Sequence, residues 1–323
     1  MKNTYTVALA GNPNVGKSTI FNSLTGMHQH TGNWTGKTVA NATGKSIIKD
    51  KEFTFVDIPG TYSIMSNSEE EEIARDYICF GNPDVTVIVV DSTCLERNLN
   101  LVFQIMEITD NIIVCVNLLD EAKKKKIKIN LKKLEQVLGV PVVGTTARDK
   151  HTLEKLKDII YKVCIGEIIP CPNEVEYSSK IEENINILKE KLAEVYEEDI
   201  KAEYRAVATV IENEKISKKL YKWISLKLID GEEKILNSIK NHLNIDFENE
   251  DIQNCLSDVR VRLEEKNITT NNFKDKVVAD IMKKAEDVSR EVCTFENKDY
   301  SARDRMDWVY RSATGRSRSS SVR

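Results

Sequence analysis

No apolar stretch in this sequence approaches the ~20 residues needed to cross a bilayer. The longest, Val85 to Val90 and Ile112 to Val116, are far shorter, and no charged-then-apolar segment opens the chain. Membrane-spanning and secreted classes are therefore set aside, and a soluble, cytosolic chain is expected. Also missing is any Cys-x-x-Cys pair: the seven cysteines (Cys79, Cys94, Cys115, Cys164, Cys171, Cys255 and Cys293) are scattered, several inside apolar patterns. That usage points to packed thiols in a reducing compartment. There is no internal repeat. The second half lacks a basic face, because residues 171–300 carry 29 acidic against 21 basic side chains. A nucleic-acid-binding module needs the opposite balance, so none is expected there.

What is present is ordinary globular material, with 41% apolar and 30% charged residues and 323 residues in all. That length predicts about two domains. Strand formers at residues 5–10 are followed by a glycine loop and a helical pattern from Ser18 to Thr25. Further strands are predicted at Phe53 to Asp57, Val85 to Asp91, Ile112 to Asn117 and Val140 to Val143, with helices between them at Glu70 to Phe80, Asn98 to Asp110, Leu131 to Leu138 and Leu153 to Ile165. A strand near Gly44 to Lys49 forms an antiparallel hairpin with Phe53 to Asp57. The expectation is an α/β fold: a doubly wound, mostly parallel, six-stranded sheet over residues 1–168. Two prolines in Ile169-Pro170-Cys171-Pro172 mark a linker. Beyond Glu174 no strand is predicted. Apolar residues instead recur at helical spacing (Ile181, Ile185, Leu188, Leu192; Ile252, Leu256, Val259, Leu263), which predicts a small all-α domain over 173–295. Residues 296–323, rich in arginine and serine, read as a disordered basic tail.

The loop Gly11-Asn12-Pro13-Asn14-Val15-Gly16-Lys17-Ser18 has the Gly-x4-Gly-Lys-Ser spacing of a phosphate-binding P-loop. Its glycines let backbone N–H groups cradle phosphate oxygens, Lys17 supplies a point charge at the β/γ-phosphates, and Ser18 offers a hydroxyl to Mg²⁺. The loop alone establishes a nucleotide and not its base. The base is read from Asn117-Leu118-Leu119-Asp120 at the carboxyl end of a strand, where ligands bind in such sheets. The Asp120 carboxylate can accept from guanine N1–H and N2–H₂, which adenine cannot offer, at roughly 1.5–3 kcal/mol per charge-assisted bond. Thr145, Thr146 and Ala147 are placed to complete the guanine pocket with backbone N–H groups.

Asp57-Ile58-Pro59-Gly60 follows the strand beside the P-loop strand. Asp57 is expected in the Mg²⁺ shell through water, and the Gly60 amide at the γ-phosphate. Between them and the P-loop, Gly32 to Val39 is a glycine-punctuated segment with candidate Mg²⁺ threonines, in which Gly36, Lys37 and Thr38 are expected to bind the nucleotide. Such a segment, ordered by the γ-phosphate and released after hydrolysis, acts as a switch. Thr61 stands where Ras-type enzymes carry a water-orienting glutamine, so hydrolysis is expected to be slow or to use another group. No arginine finger is identifiable. Asn14 admits two readings, a ligand of a monovalent cation standing in for that finger or a turn former. His28 and His30 read as incidental, Lys123 to Lys126 as a solvated face, and Glu69 to Glu72 as a helix start.

The P-loop, the Gly32 to Val39 segment, Asp57 to Ser63, Ala74-Arg75-Asp76-Tyr77, Leu95-Glu96-Arg97-Asn98-Leu99 and Asn117 to Asp120 together resemble the bacterial ferrous iron transport protein B family over roughly residues 3 to 300. The resemblance implies a P-loop GTPase with Lys17, Thr38, Gly60 and Asn14 as the catalytic set. It implies Mg²⁺ on Ser18, Thr38 and Asp57, K⁺ on Asn14, and a helical domain that slows nucleotide release. In that family these domains precede a polytopic membrane domain that moves Fe²⁺. Here, beyond Asp304 to Trp308, the chain runs into the arginine- and serine-rich stretch, so the expectation is a truncated, frameshifted or separately encoded cytosolic part that does not carry iron alone. Expected partners are GTP or GDP, the membrane transport domain at the cytoplasmic face, and a second copy of the chain, with no nucleic acid. A nucleotide-sensing module without useful turnover and an RNA-associated GTPase are the competing readings.

Overall fold

Parallel strands buried on both faces need two helical layers, and this chain supplies them unequally. The computed structural model describes residues 2–26, 29–34, 40–65, 68–146, 149–204, 213–243 and 245–296. Its main sheet is built from β1 (Thr4–Gly11), β2 (Gln29–Asn33), β3 (Ala40–Ile48), β4 (Lys51–Asp57), β5 (Val85–Asp91) and β6 (Ile112–Asn117), together with β8 (Val142–Gly144), which follows the outlying β7 (Ile127–Ile129). The strand order is β2-β3-β4-β1-β5-β6-β8. All six strands expected from the pattern are present, with β3 and β4 pairing antiparallel through the Lys49-Asp50 turn. A seventh, β2, extends the antiparallel edge by pairing with β3. Its sequence Gln29-His30-Thr31-Gly32-Asn33 has no apolar alternation, so only the open edge of β3 specifies it.

Register decides where the loops after each strand emerge. Leu9 lies beside Asp57, Gly11 beside Val89, and Asp91 beside Asn117. The carboxyl ends of four parallel strands therefore form one rim. Within β1, Val7 and Leu9 face one side and Ala8 and Ala10 the other, and all four are buried. The first face is covered by α1 (Lys17–Thr25) and α6 (Lys150–Cys164), through Ile20, Phe21, Leu24, Leu156 and Ile160. The second is covered by α2 (Glu69–Phe80), α3 (Leu95–Met106) and α5 (Leu131–Leu138), with the short α4 (Leu119–Lys124) after β6. α2 begins as its acidic run suggests: Ser68 caps it by accepting from Glu71 N–H at 3.2 Å, and Glu69 to Glu72 fill the first turn. Lys123 and Lys124 are exposed on α4, as a solvated face should be.

After the linker come α7 (Ser179–Tyr204), α8 (Asn213–Asp230), α9 (Glu233–Leu243), α10 (Glu250–Glu265) and α11 (Thr270–Val292). Asn249 caps α10, and a Thr269/Asn272 capping box opens α11. These helices bury Ile181, Ile185, Tyr221, Ile224, Phe273 and Ile281 in a core continuous with the second face of the sheet. α3 is the shared wall. Its Leu95, Leu99, Leu101, Val102, Phe103, Ile105 and Met106 are buried all round, because the sheet covers one side and α11 the other.

Beyond the linker, where no strand is expected, one forms. Cys293–Phe295 forms β9, antiparallel to β7, and Asn130 N–H donates to the Val292 carbonyl at 2.9 Å. Three residues are too few to register as a strand pattern, and pairing with β7 supplies what local sequence lacks. Glu296, first of the expected tail, is still bonded through Lys126 O (3.3 Å) and Lys128 Nζ (2.6 Å). The rest of that tail, residues 297–323, lies outside the described residues. The seven cysteines are free thiols, and burial raises Cys94 and Cys115 to about 12.

The junction between the sheet unit and the helices contains charge. Glu107, after α3, accepts from the Tyr177 hydroxyl. Asp110 pairs with Lys219, and Lys222 bridges Glu174 (2.9 Å) and Glu182 (2.8 Å). Burial pushes the Glu107 carboxyl up from the ordinary 4.5 to about 7, against the pull of Lys227, Lys222 and Lys219 and with a further rise from Glu182. Burial also lowers Lys227. Because Glu107 holds its proton in the folded chain and loses it in the unfolded one between pH 4.5 and 7, stability falls as pH rises through that window. Glu107→Gln is expected to remove this part of the decline, roughly 1–3 kcal/mol. Urea unfolding of both proteins at pH 5 and pH 7.5 measures it: the wild type should lose more than the variant, and parallel losses would contradict the assignment.

Candidate nucleotide-binding site

The P-loop leaves β1 at Gly11 and enters α1 at Lys17, and two backbone positions shape it. Gly16 has φ 84°, and a Cβ there would come within 2.5 Å of Asn117 Nδ2. Only glycine fits both constraints. Asn14 has φ 66° with an exposed side chain, which is the turn-forming conformation a short polar residue tolerates. Val15 is buried, and its carbonyl accepts from Asn117 Nδ2 at 2.9 Å.

Lys17 is buried beneath the loop and forms an ion pair with Asp57 at the end of β4. Ser18 Oγ lies 3.3 Å from Asp57 Oδ2. The lysine, the hydroxyl and the carboxylate thus converge on one point. Ser18 and Asp57 present oxygen donors, the set that Mg²⁺ takes, so the residues present fit that ion. Beyond Asp57, Ile58 N–H donates to Leu9 O (3.0 Å) and Thr61 N–H to Gly11 O (3.2 Å), which draws Ile58-Pro59-Gly60 along the P-loop. A Cβ on Gly60 would lie 3.3 Å from Pro13 Cα, so this contact keeps the turn close to the loop. Asn12 is buried between them with its Nδ2 unpartnered.

The other side of the rim is set by Asn117. It is fully buried, and its side-chain amide is used at both ends: Nδ2 donates to Val15 O, and Oδ1 accepts from Thr145 Oγ1 at 3.1 Å. Cys115 Sγ adds a 3.2 Å contact to the same hydroxyl. Leu118 turns with φ 61°, so that α4 starts at once and carries Asp120 in its first turn. Asp120 is exposed and has no partner among the described residues. Thr145 N–H donates to Val116 O (2.7 Å) and Thr146 N–H to Thr152 Oγ1 (3.3 Å). Both amides expected to face a base are therefore engaged within the protein, and Ala147 lies outside the described residues.

The segment Gly32 to Val39 enters as the end of β2. Trp34 packs edge-to-face on Tyr77 of α2, with centroids 5.2 Å apart. Gly36, Lys37 and Thr38 lie outside the described residues, as do His28 and the side chain of His30. Thr61 is buried: its hydroxyl is held between the Ser63 carbonyl, Ser63 N–H (3.2 Å) and Glu71 Oε1 (3.3 Å). The residue missed from sequence is Gln104 of α3. Its Oε1 accepts from Ser63 Oγ and Ile64 N–H, each at 2.9 Å. An amide inside the apolar run Leu101 to Met106 was the available signal.

Comparisons with known proteins bear on this site. A family model described as ferrous iron transport protein B matches residues 5–160, and one for the FeoB cytosolic helical domain matches 196–294. The Fe(2+) transporter FeoB of Escherichia coli (strain K12) is 35% identical over 231 residues, 70% of this chain and 27% of that protein. Its counterpart from Salmonella typhimurium is 43% identical over 156 residues, 47% of this chain and 20% of that protein. The match thus spans about a quarter of the curated relatives' length. Among solved structures, an S. thermophilus NFeoB mutant bound to GDP aligns with TM-score 0.71 and 26% identity, covering 90% of this chain and 100% of that one. The cytosolic domain of T. maritima FeoB in apo form aligns with TM-score 0.68 and 28% identity, with the same coverage.

Asn117→Ala leaves the Val15 carbonyl and the Thr145 hydroxyl without their buried partner. The expected loss is about 1–3 kcal/mol of stability together with at least roughly tenfold in nucleotide affinity. Thermal unfolding and titration with a fluorescent GDP analogue measure the two, and unchanged GDP affinity would remove the tether from the site.

Proposed function

The chain belongs to the ferrous iron transport protein B family, of which it carries the P-loop GTPase domain and the cytosolic helical domain, and from that premise we propose that it is a GTP-hydrolysing switch controlling ferrous iron uptake through a membrane transport domain. The observation that carries this reading is the Asn117 to Val15 bond, which fixes the phosphate loop and the strand end bearing Asp120 in one frame. A phosphate subsite and a carboxylate reader of guanine are then held at a set separation, as a guanine nucleotide requires. GDP bound to the S. thermophilus relative supports the same ligand here.

In this reading the P-loop amides surround the phosphates, and Lys17 leaves Asp57 to meet the β- and γ-oxygens. Ser18, Asp57 and Thr38 would hold Mg²⁺, which when bound would supply positive charge to offset that of the phosphates. Gly60, against Pro13, presents its amide to the γ-phosphate. Asp120 accepts from guanine N1–H and N2–H₂, beside Thr145, Thr146 and Ala147. The buried Thr61 hydroxyl is occupied by Ser63 and Glu71, which supports slow hydrolysis or a water positioned by another group. Asn14 is exposed at the outer turn of the P-loop, where its amide oxygen can take K⁺. The helical unit beyond the linker at residues 169–172 slows nucleotide release, and a membrane domain and a second copy of the chain are its partners. No helix among the described residues is long and apolar enough to cross a membrane, so transport is assigned to that partner domain.

Steady-state turnover of GTP with Mg²⁺ in K⁺ and in Na⁺ tests the enzyme. The rate should be roughly tenfold or more higher in K⁺, and Asn14→Ala should bring it to the Na⁺ value. No phosphate release in either salt would favour a sensing module instead. For the base, Asp120→Asn should weaken GDP about a hundredfold and favour xanthine nucleotides, whose 2-carbonyl can accept from the new amide. Unchanged guanine selectivity would refute the pocket.

A further inference from the structure

The stretch just after Gly60 is the part of a GTPase that must stay in register with the γ-phosphate, and here it is anchored from behind by α3. Thr61 N–H is bonded to Gly11 O at 3.2 Å, which ties the start of the stretch to the P-loop. Its middle folds around one atom. Gln104 Oε1 receives Ser63 Oγ–H and Ile64 N–H, both at 2.9 Å, and Ser63 Oγ in turn accepts from Met65 N–H at 3.0 Å. Seven residues before Gln104, and so on the same helix face, the Arg97 guanidinium lies 4.2 Å over the ring of the exposed Tyr62. Residues 62, 63 and 64 are thus all held by one stripe of α3. The opposite side of that helix is packed against α11, whose Lys274 Nζ reaches the Met65 carbonyl at 3.1 Å.

Gln104 is buried, and the helix around it is apolar. A buried amide costs free energy unless its bonds are used, and this one spends its oxygen on a turn rather than on packing. We propose that Gln104 is a positioning residue: by holding the Thr61–Met65 turn it fixes where the Gly60 amide meets a γ-phosphate, and so sets both preference for triphosphate over diphosphate and turnover. The inference rests on the GTP-hydrolysing reading above. It assigns Gln104 no contact with nucleotide. Diphosphate binding, carried by the P-loop, Lys17 and Asp120, does not depend on it.

The acceptor role separates three variants. Gln104→Met keeps the length of the side chain and removes the acceptor, leaving the buried Ile64 N–H unpaired. Gln104→Glu keeps an oxygen that can accept from both donors. Ser63→Ala removes one of the two donors and, with it, the acceptor of Met65 N–H. Affinities for GDP and for a non-hydrolysable GTP analogue, together with kcat and KM for GTP, should be measured in the full chain. In Gln104→Met the ratio of triphosphate to diphosphate affinity and kcat should each fall about tenfold, with GDP affinity unchanged. Ser63→Ala should fall less, and Gln104→Glu should stay within about threefold of wild type. If Gln104→Met does not fold, Ser63→Ala against Gln104→Glu carries the same contrast. Folded variants with the wild-type ratio and kcat would overturn the inference, as would GDP and analogue affinities that fall in step. Absence of hydrolysis in the wild type would instead overturn the reading it rests on, so the two failures are distinct.

Discussion

A single side-chain amide links the two halves of the rim. Asn117 donates to the carbonyl of Val15 in the phosphate loop and accepts from Thr145 on the loop after β8, so three chain segments meet at one fully buried group. Everything else at the site is built outward from it. The left-handed turn at position 16 is open to glycine alone, because Asn117 occupies the space a side chain would need. α4 can begin within one residue of the strand because Leu118 takes the αL conformation beside the tether. Without the tether, the loop and the strand end would be two separate pieces of irregular backbone, each with its own freedom.

α3 does the corresponding work on the other side. Its apolar residues are covered by the sheet and by α11, so it cannot shift against one without disturbing the other. The turn after Gly60 is fastened to this helix, and α2 meets the helical unit directly, through Glu72 with Lys234 at 3.1 Å and the stacked rings of Phe80 and His242 at 4.3 Å. The helical unit therefore touches α2 and the turn at Met65 as well as the core beneath them. The buried carboxyl of Glu107 and the buried ammonium of Lys227 lie in this same seam, which makes it more polar than a domain core usually is.

Much of this was legible in the sequence, and the reasons it was legible are local. Strand and helix periodicities in the first 165 residues specify the main sheet, since each buried strand must be an apolar run of its own. The P-loop, Asp57-Ile58-Pro59-Gly60 and Asn117 to Asp120 are readable because short loops at strand ends have few ways to satisfy a phosphate or a base. The features that escaped depend on distant partners. β2 and β9 exist only because β3 and β7 offer open edges, Gln104 acquires meaning only beside Ser63 and Ile64, and the amides of Thr145 and Thr146 are committed by Val116 and Thr152.

The small β7–β9 ladder gives the molecule a mechanical property as well as a chemical one. Three residue pairs, Ile127 with Phe295, Lys128 with Thr294 and Ile129 with Cys293, hold the end of the helical unit against the strand that directly follows α4. Tension applied to the chain at Glu296 would load that ladder before it reached α11, and would arrive through the Lys125-Lys126 turn at the helix whose first turn carries Asp120. The end of the rim that carries Asp120 is thus the part nearest, in force path, to β9.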